Sequence, residues 1–141
     1  VPEESSRPEK CAIVVDRDLP PGLAMNAASV LALSIGRFTD GIVGPDVKDG
    51  SGATHRGVTM IPVPVLTAGA GQVRDIVLRA HDRADVVVVD FTSIAQSSRT
   101  YDEYVDRTAP ATTEELPYVG VAVAGSRKAV DKLTGSLPLF R

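Results

Sequence analysis

The chain has 141 residues, of which 43% are hydrophobic and 23% charged. That length suits one domain burying ~70% of its unfolded surface, and the apolar content excludes a disordered chain. Fifteen Lys and Arg against 18 Asp and Glu leave a net charge of −3, so the chain as a whole lacks the basic excess that draws nucleic acid.

Residues 1–10 are polar and carry two prolines. They lack the apolar core of a signal peptide and are expected to form a flexible N-terminal segment, with a single domain over residues 11–141. Cys11 to Val15 reads as a buried strand, and Asp16 to Gly22 as a turn. Leu23 to Phe38 favours helix and is apolar almost all round, which predicts burial on most of its circumference. Asp49-Gly50 sits where a hairpin would turn. Val58 to Leu66 reads as a strand in which Pro62 and Pro64 cannot donate, so it belongs at a sheet edge or loses its second half. Val73, Ile76, Val77 and Ala80 have the spacing of a one-sided helix over Gln72 to Arg83. The β-branched run Val86 to Val89 predicts a buried strand. A helix over Tyr101 to Arg107 follows, then a short turn at Thr112 to Glu115 with capping-box spacing. Tyr118 to Ala124 is the last strand, and Ser126 caps a final helix that Gly135 ends. Strands separated by helices predict an α/β sheet with helices on both faces.

Read alone, few residues carry chemistry. Asp16 and Asp18 are expected to bond turn amides rather than hold a metal. Asp90 ends an apolar strand, where open α/β sheets place functional groups; an Asx-type turn onto Thr92 is its structural alternative. Cys11 reads as a small apolar filler. His55 and His81 lack metal-ligand spacing, and the serines lack a nucleophile elbow, so no metal and no cofactor are expected. Gly69-Ala70-Gly71 reads as the start of a helix. The amides and cations of Gly125 to Lys128 could hold an anion but are also an ordinary helix start.

The stretch Lys10 to Ser29, KCAIVVDRDLPPGLAMNAAS, resembles the opening of peptidyl-tRNA hydrolases of the second type. Asp18-Leu19, Gly22 and Ala27-Ala28 fall in register with that family's strand, turn and helix. Ser98-Arg99-Thr100 resembles its Gly-Arg-Thr loop, and Val119 to Gly135 its closing strand and helix. From Lys10 to Arg141 the chain is more closely similar to a branch of that superfamily catalogued as a domain of unknown function, number two thousand. DLPPGLAMNAASVLALSIG, VVVDFTSIAQSSRTYDEY and RKAVDKLTGSLPL carry that resemblance.

The resemblance implies a three-layer α/β/α domain around a small mixed sheet, of peptidyl-tRNA hydrolase II type, cytoplasmic and commonly homodimeric. It also implies a cleft lined by Asn26, Ser29, Gln96, Ser97, Ser98, Arg99 and Thr100. The departures matter as much. Leu23 and Met25 stand where the hydrolases have lysines, and Ser29 where they have a glutamine. Either Gln96 or Asp90 takes the place of their acid. Leucine and methionine cannot neutralise phosphate, nor can glutamine deprotonate water. The leading expectation is therefore a diverged small-molecule or peptide binding protein or enzyme, with Arg99 pairing an anion and Asn26, Ser29, Gln96 and Ser98 bonding the ligand. The alternatives are a retained peptidyl-tRNA or aminoacyl-ester hydrolase using Asp90 and Thr100 as catalytic residues, and a structural or interaction domain. Nucleic acid and membrane partners are disfavoured.

Overall fold

Cys11 to Val15 are all buried, and their side chains alternate between two apolar layers. Cys11, Ile13 and Val15 meet Ala24, Ala27, Leu31 and Ile35 on one face. Ala12 and Val14 meet Val73, Ile76, Val77, Val130 and Leu133 on the other. This computed structural model describes residues 7–141, so most of the expected flexible N-terminal segment lies outside the described residues. The elements in chain order are β1 (Lys10–Asp16), α1 (Pro21–Arg37), β2 (Val47–Lys48), β3 (Thr54–His55), β4 (Val65–Ala68), α2 (Ala70–His81), β5 (Val86–Thr92), α3 (Ser93–Ser97), α4 (Tyr101–Thr108), β6 (Tyr118–Gly125) and α5 (Arg127–Thr134). Lys10 already belongs to β1, and its Nζ lies 2.6 Å from Asp131 Oδ1 of α5.

Four strands form a mixed sheet in the order β4-β1-β6-β5, with β1 parallel to β4 and antiparallel to β6, and β6 antiparallel to β5. Helix α1 covers one face, while α2 and α5 cover the other. The Ser126 hydroxyl accepts from Ala129 N at 3.1 Å and caps α5. The Asp49 carboxylate holds the β2–β3 turn by accepting from Ser51 N and Ala53 N, and Gly52 supplies its positive φ of 84°.

Three expectations are corrected. Helix α1 buries only one stripe: Leu23, Met25 and Leu33 are exposed, because only its inner stripe meets the sheet and nothing among the described residues covers these three side chains. Strand β5 stands at an edge, so Val86 to Asp90 are only half-buried although helices lie on both faces. In the proline segment the strand forms only at Val65–Ala68, with the residues before it outside any strand except for a bridge at Thr59. There Cys11 N and Ile13 N donate to the carbonyls of Pro62 and Pro64 at 3.1 and 3.0 Å, a role that needs no donor from proline. As expected, β4 is an edge, and the C-terminal tail flanks it: Thr67 N donates to Pro138 O at 3.0 Å and Phe140 N to Val65 O at 2.8 Å.

Burial pushes the Cys11 thiol up from 9.0 to about 11. Native protein at pH 8 should therefore resist an aromatic disulfide reagent until unfolded, and rapid labelling of the folded chain would contradict this placement. The sign of the pH effect follows. Below the unfolded value both states keep the proton. Between about 9 and 11 the unfolded thiol ionises first, so stability falls across that window.

Candidate functional site

One side of α1, the end of β5 and the α3–α4 segment enclose a cleft of about 540 Å³. Val30, Leu31, Val89 and Phe91 give it an apolar floor, and Phe38, Tyr101 and Tyr104 add aromatic walls. The tyrosine rings meet edge to face, with centroids 5.4 Å apart. Burial, then the charge of Asp90, holds the Tyr104 phenol above its ordinary value.

Asn26, Asp90, Gln96, Ser98, Arg99 and Thr100 all line this one cleft. Ser29 does not. Its hydroxyl donates to Met25 O at 2.8 Å from an exposed position on α1. Ser34 lines the cleft instead. A signal for it was present, since Asn26, Val30, Ser34 and Phe38 recur every four residues along one side of a helix.

Several of these polar groups are already engaged in the fold. Gln96 Nε2 donates to Leu23 O at 2.9 Å and Asn26 Oδ1 at 3.1 Å, tying α3 to the start of α1. Ser98 Oγ donates to Ile94 O at 2.7 Å and accepts from Arg107 Nη1 at 3.0 Å. Thr100 Oγ1 accepts from Glu103 N at 3.1 Å and caps α4, while Arg99 N, one residue before the cap, donates to Glu103 Oε2 at 3.1 Å. The Arg99 guanidinium, by contrast, makes no hydrogen bond or ion pair among the described residues.

Asp90 Oδ2 lies 3.0 Å from His81 Nε2 at the end of α2. The structural alternative for Asp90, an Asx turn onto Thr92, is absent among the described residues; Thr92 itself caps α3 by accepting from Ala95 N. The turn acids behave as expected at Asp16, whose carboxylate accepts from Asp18 N at 2.9 Å. No helix among the described residues is long and apolar enough to cross a membrane.

Sheet, helical layers and cleft together define, among the described residues, a mixed α/β domain with a four-stranded sheet, five helices and a lateral groove lined in part by Arg99. The chain belongs to the DUF2000 family, described as a protein of unknown function, whose match spans residues 9–141. A solved structure of a protein of unknown function, Atu0240 from Agrobacterium tumefaciens strain C58, shares the fold with a TM-score of 0.84 at 23% identity. The match covers 94% of this chain and 97% of that one. No curated protein matches the chain.

Proposed function

We propose that this domain has the peptidyl-tRNA hydrolase II-type fold turned to binding, and that its cleft takes a small organic carboxylate with an apolar body. The observation that carries this reading is the Arg99 guanidinium, free of partners among the described residues beside an apolar and aromatic floor. A carboxylate there gains a charge-assisted contact, and its hydrocarbon part buries against Val30, Val89 and Phe91. Leu23 and Met25, where the hydrolases carry lysines, offer no cation to a phosphate chain.

The probe is 4-phenylbutyrate, with its primary amide as control. At a hundred times Kd a ligand adds about 2.7 kcal/mol, which raises Tm by roughly 8 °C for a domain of this length. Arg99→Ala should weaken binding about tenfold to a hundredfold, the loss of one charge-assisted hydrogen bond. Equal affinity for acid and amide, or no shift with either, would refute the reading.

One observation favours a second reading. Asp90 lines the cleft and its carboxylate is held by a histidine, a pairing suited to proton transfer. Incubation with labelled peptidyl-tRNA separates the two: turnover abolished by Asp90→Asn would establish the hydrolase.

A further inference from the structure

The two edges of the sheet are treated differently. At β4 the C-terminal tail supplies Pro138 O and Phe140 N to the outer side. At β5 no described residue hydrogen-bonds the outer side of the strand through its backbone, and the direction of its free groups follows from the pairing. Cys11 N and Ile13 N point at the proline carbonyls on the β4 side, so Ala12 and Val14 turn theirs toward β6, opposite Val123 and Val121. The intervening Ala122 and Ala124 then face β5, opposite Val89 and Val87. Val86, Val88 and Asp90 are left with N–H and C=O pointing out of the sheet. Their amides find no other backbone partner among the described residues.

An apolar edge strand is ordinarily blunted by proline, lysine or a bulge. Val86 to Asp90 contain neither residue, and the register shift comes only at Phe91/Thr92. Moreover, this edge runs into the cleft, whose lining includes the consecutive residues Val89, Asp90 and Phe91. Along α1 the lining extends from Asn26 to Phe38. Twelve helical residues span about 18 Å, the length of roughly five residues of extended chain. At the Asn26 end Gln96 bridges the walls through Leu23 O and Asn26 Oδ1, and Arg99 follows three residues later. A chain laid in this groove meets the Gln96 bridge at the Asn26 end, and Arg99, whose guanidinium has no partner among the described residues, also lines it.

We infer that the cleft binds the C-terminal end of an extended apolar peptide, which adds a strand to β5 and places its terminal carboxylate on Arg99. This rests on the carboxylate-binding reading above and names its ligand class. Backbone pairing with Val86, Val88 and Asp90 gives the affinity, and alternate side chains enter between Val30, Phe38 and Phe91.

The test uses a soluble peptide, acetyl-Thr-Val-Thr-Val-Val with a free C-terminus, against the full chain. Three further forms are compared: the C-terminal amide, the amide with glutamate at the penultimate position, and the free acid N-methylated at alternate amides. The free acid should slow amide exchange at Val88 and Asp90 at least tenfold, while amidation and N-methylation each weaken binding at least tenfold. Val88→Pro, which removes an outward donor without touching the β6 ladder, should abolish peptide binding. The N-methylated peptide makes the same point should that variant fold poorly. Unchanged exchange at Val88 and Asp90 under saturating peptide overturns the inference, as does rescue of the amide by the glutamate. Protection of β5 in ligand-free protein that rises with protein concentration also overturns it, showing a second copy on the edge. If 4-phenylbutyrate binds and the peptides do not, the carboxylate site stands and the strand pairing falls; if nothing binds, both fall.

Discussion

Replacing Leu31 with alanine should lower unfolding free energy by about 3 kcal/mol, the middle of the range for a buried leucine. Leu31 is 0% exposed, sits between α1 and the sheet, and forms part of the cleft floor. Its Cδ1 lies where β6 carries Gly120: a Cβ built there would stand 2.8 Å from that methyl and 3.1 Å from Val14 O. The leucine tip is flexible in principle, but full burial leaves it nowhere to swing. Gly120→Ala alone should therefore cost about 1–3 kcal/mol by overpacking. The two changes should not add. Without the Leu31 methyls only the Val14 carbonyl still crowds the new Cβ, so the double variant should lose less than the sum by about 1 kcal/mol. Urea denaturation of the four proteins measures this, and strict additivity would show that the α1–β6 contact is not at this pair.

The elements whose signals were strong locally were the legible ones. Helix α2 declared itself through Val73, Ile76, Val77 and Ala80, which are its buried residues. The α5 cap was readable because Ser126 stands before a helix and needs only its own N3 amide. What failed depended on neighbours. An unbroken valine run says that both faces of β5 are covered, yet nothing in Val86 to Val89 tells whether a strand lies on its outer side. Similarly, an apolar α1 does not reveal that only one stripe meets the sheet. In the site, Gln96, Ser98 and Arg99 could be placed by resemblance. That Gln96 and Ser98 serve the fold, while the Arg99 guanidinium has no partner among the described residues, follows only from where Leu23, Asn26 and Arg107 bring their atoms. The bond of His81 to Asp90 rests on how the end of α2 packs against β5.

Gly57→Ala should be the most disruptive small substitution in the arm that carries β2 and β3. A Cβ at Gly57 would lie 1.8 Å from Gly44 O, 2.7 Å from Gly44 C and 3.0 Å from Pro45 O. All three are backbone atoms, so no rotamer change can relieve the overlap. The two strands of the arm must separate where Gly57 N donates to Asp46 Oδ1 at 2.9 Å and Gly44 N to Val58 O at 2.9 Å. Ile42, 7% exposed and tied to the same arm by Met60 N donating to its carbonyl at 2.8 Å, would meet water. The expected loss is about 2–4 kcal/mol, with amide protection falling at Gly44 and Met60 before it falls in β1 or β6. Gly50→Ala is the control: nothing lies within 4 Å of its Cβ, and its change should stay within about 0.5 kcal/mol. Equal protection factors at Gly44 and Met60 in wild type and Gly57→Ala would mean that the two segments do not approach as closely as described. A uniform loss across the chain would instead make the arm part of one cooperative unit with the sheet rather than a separately opening one.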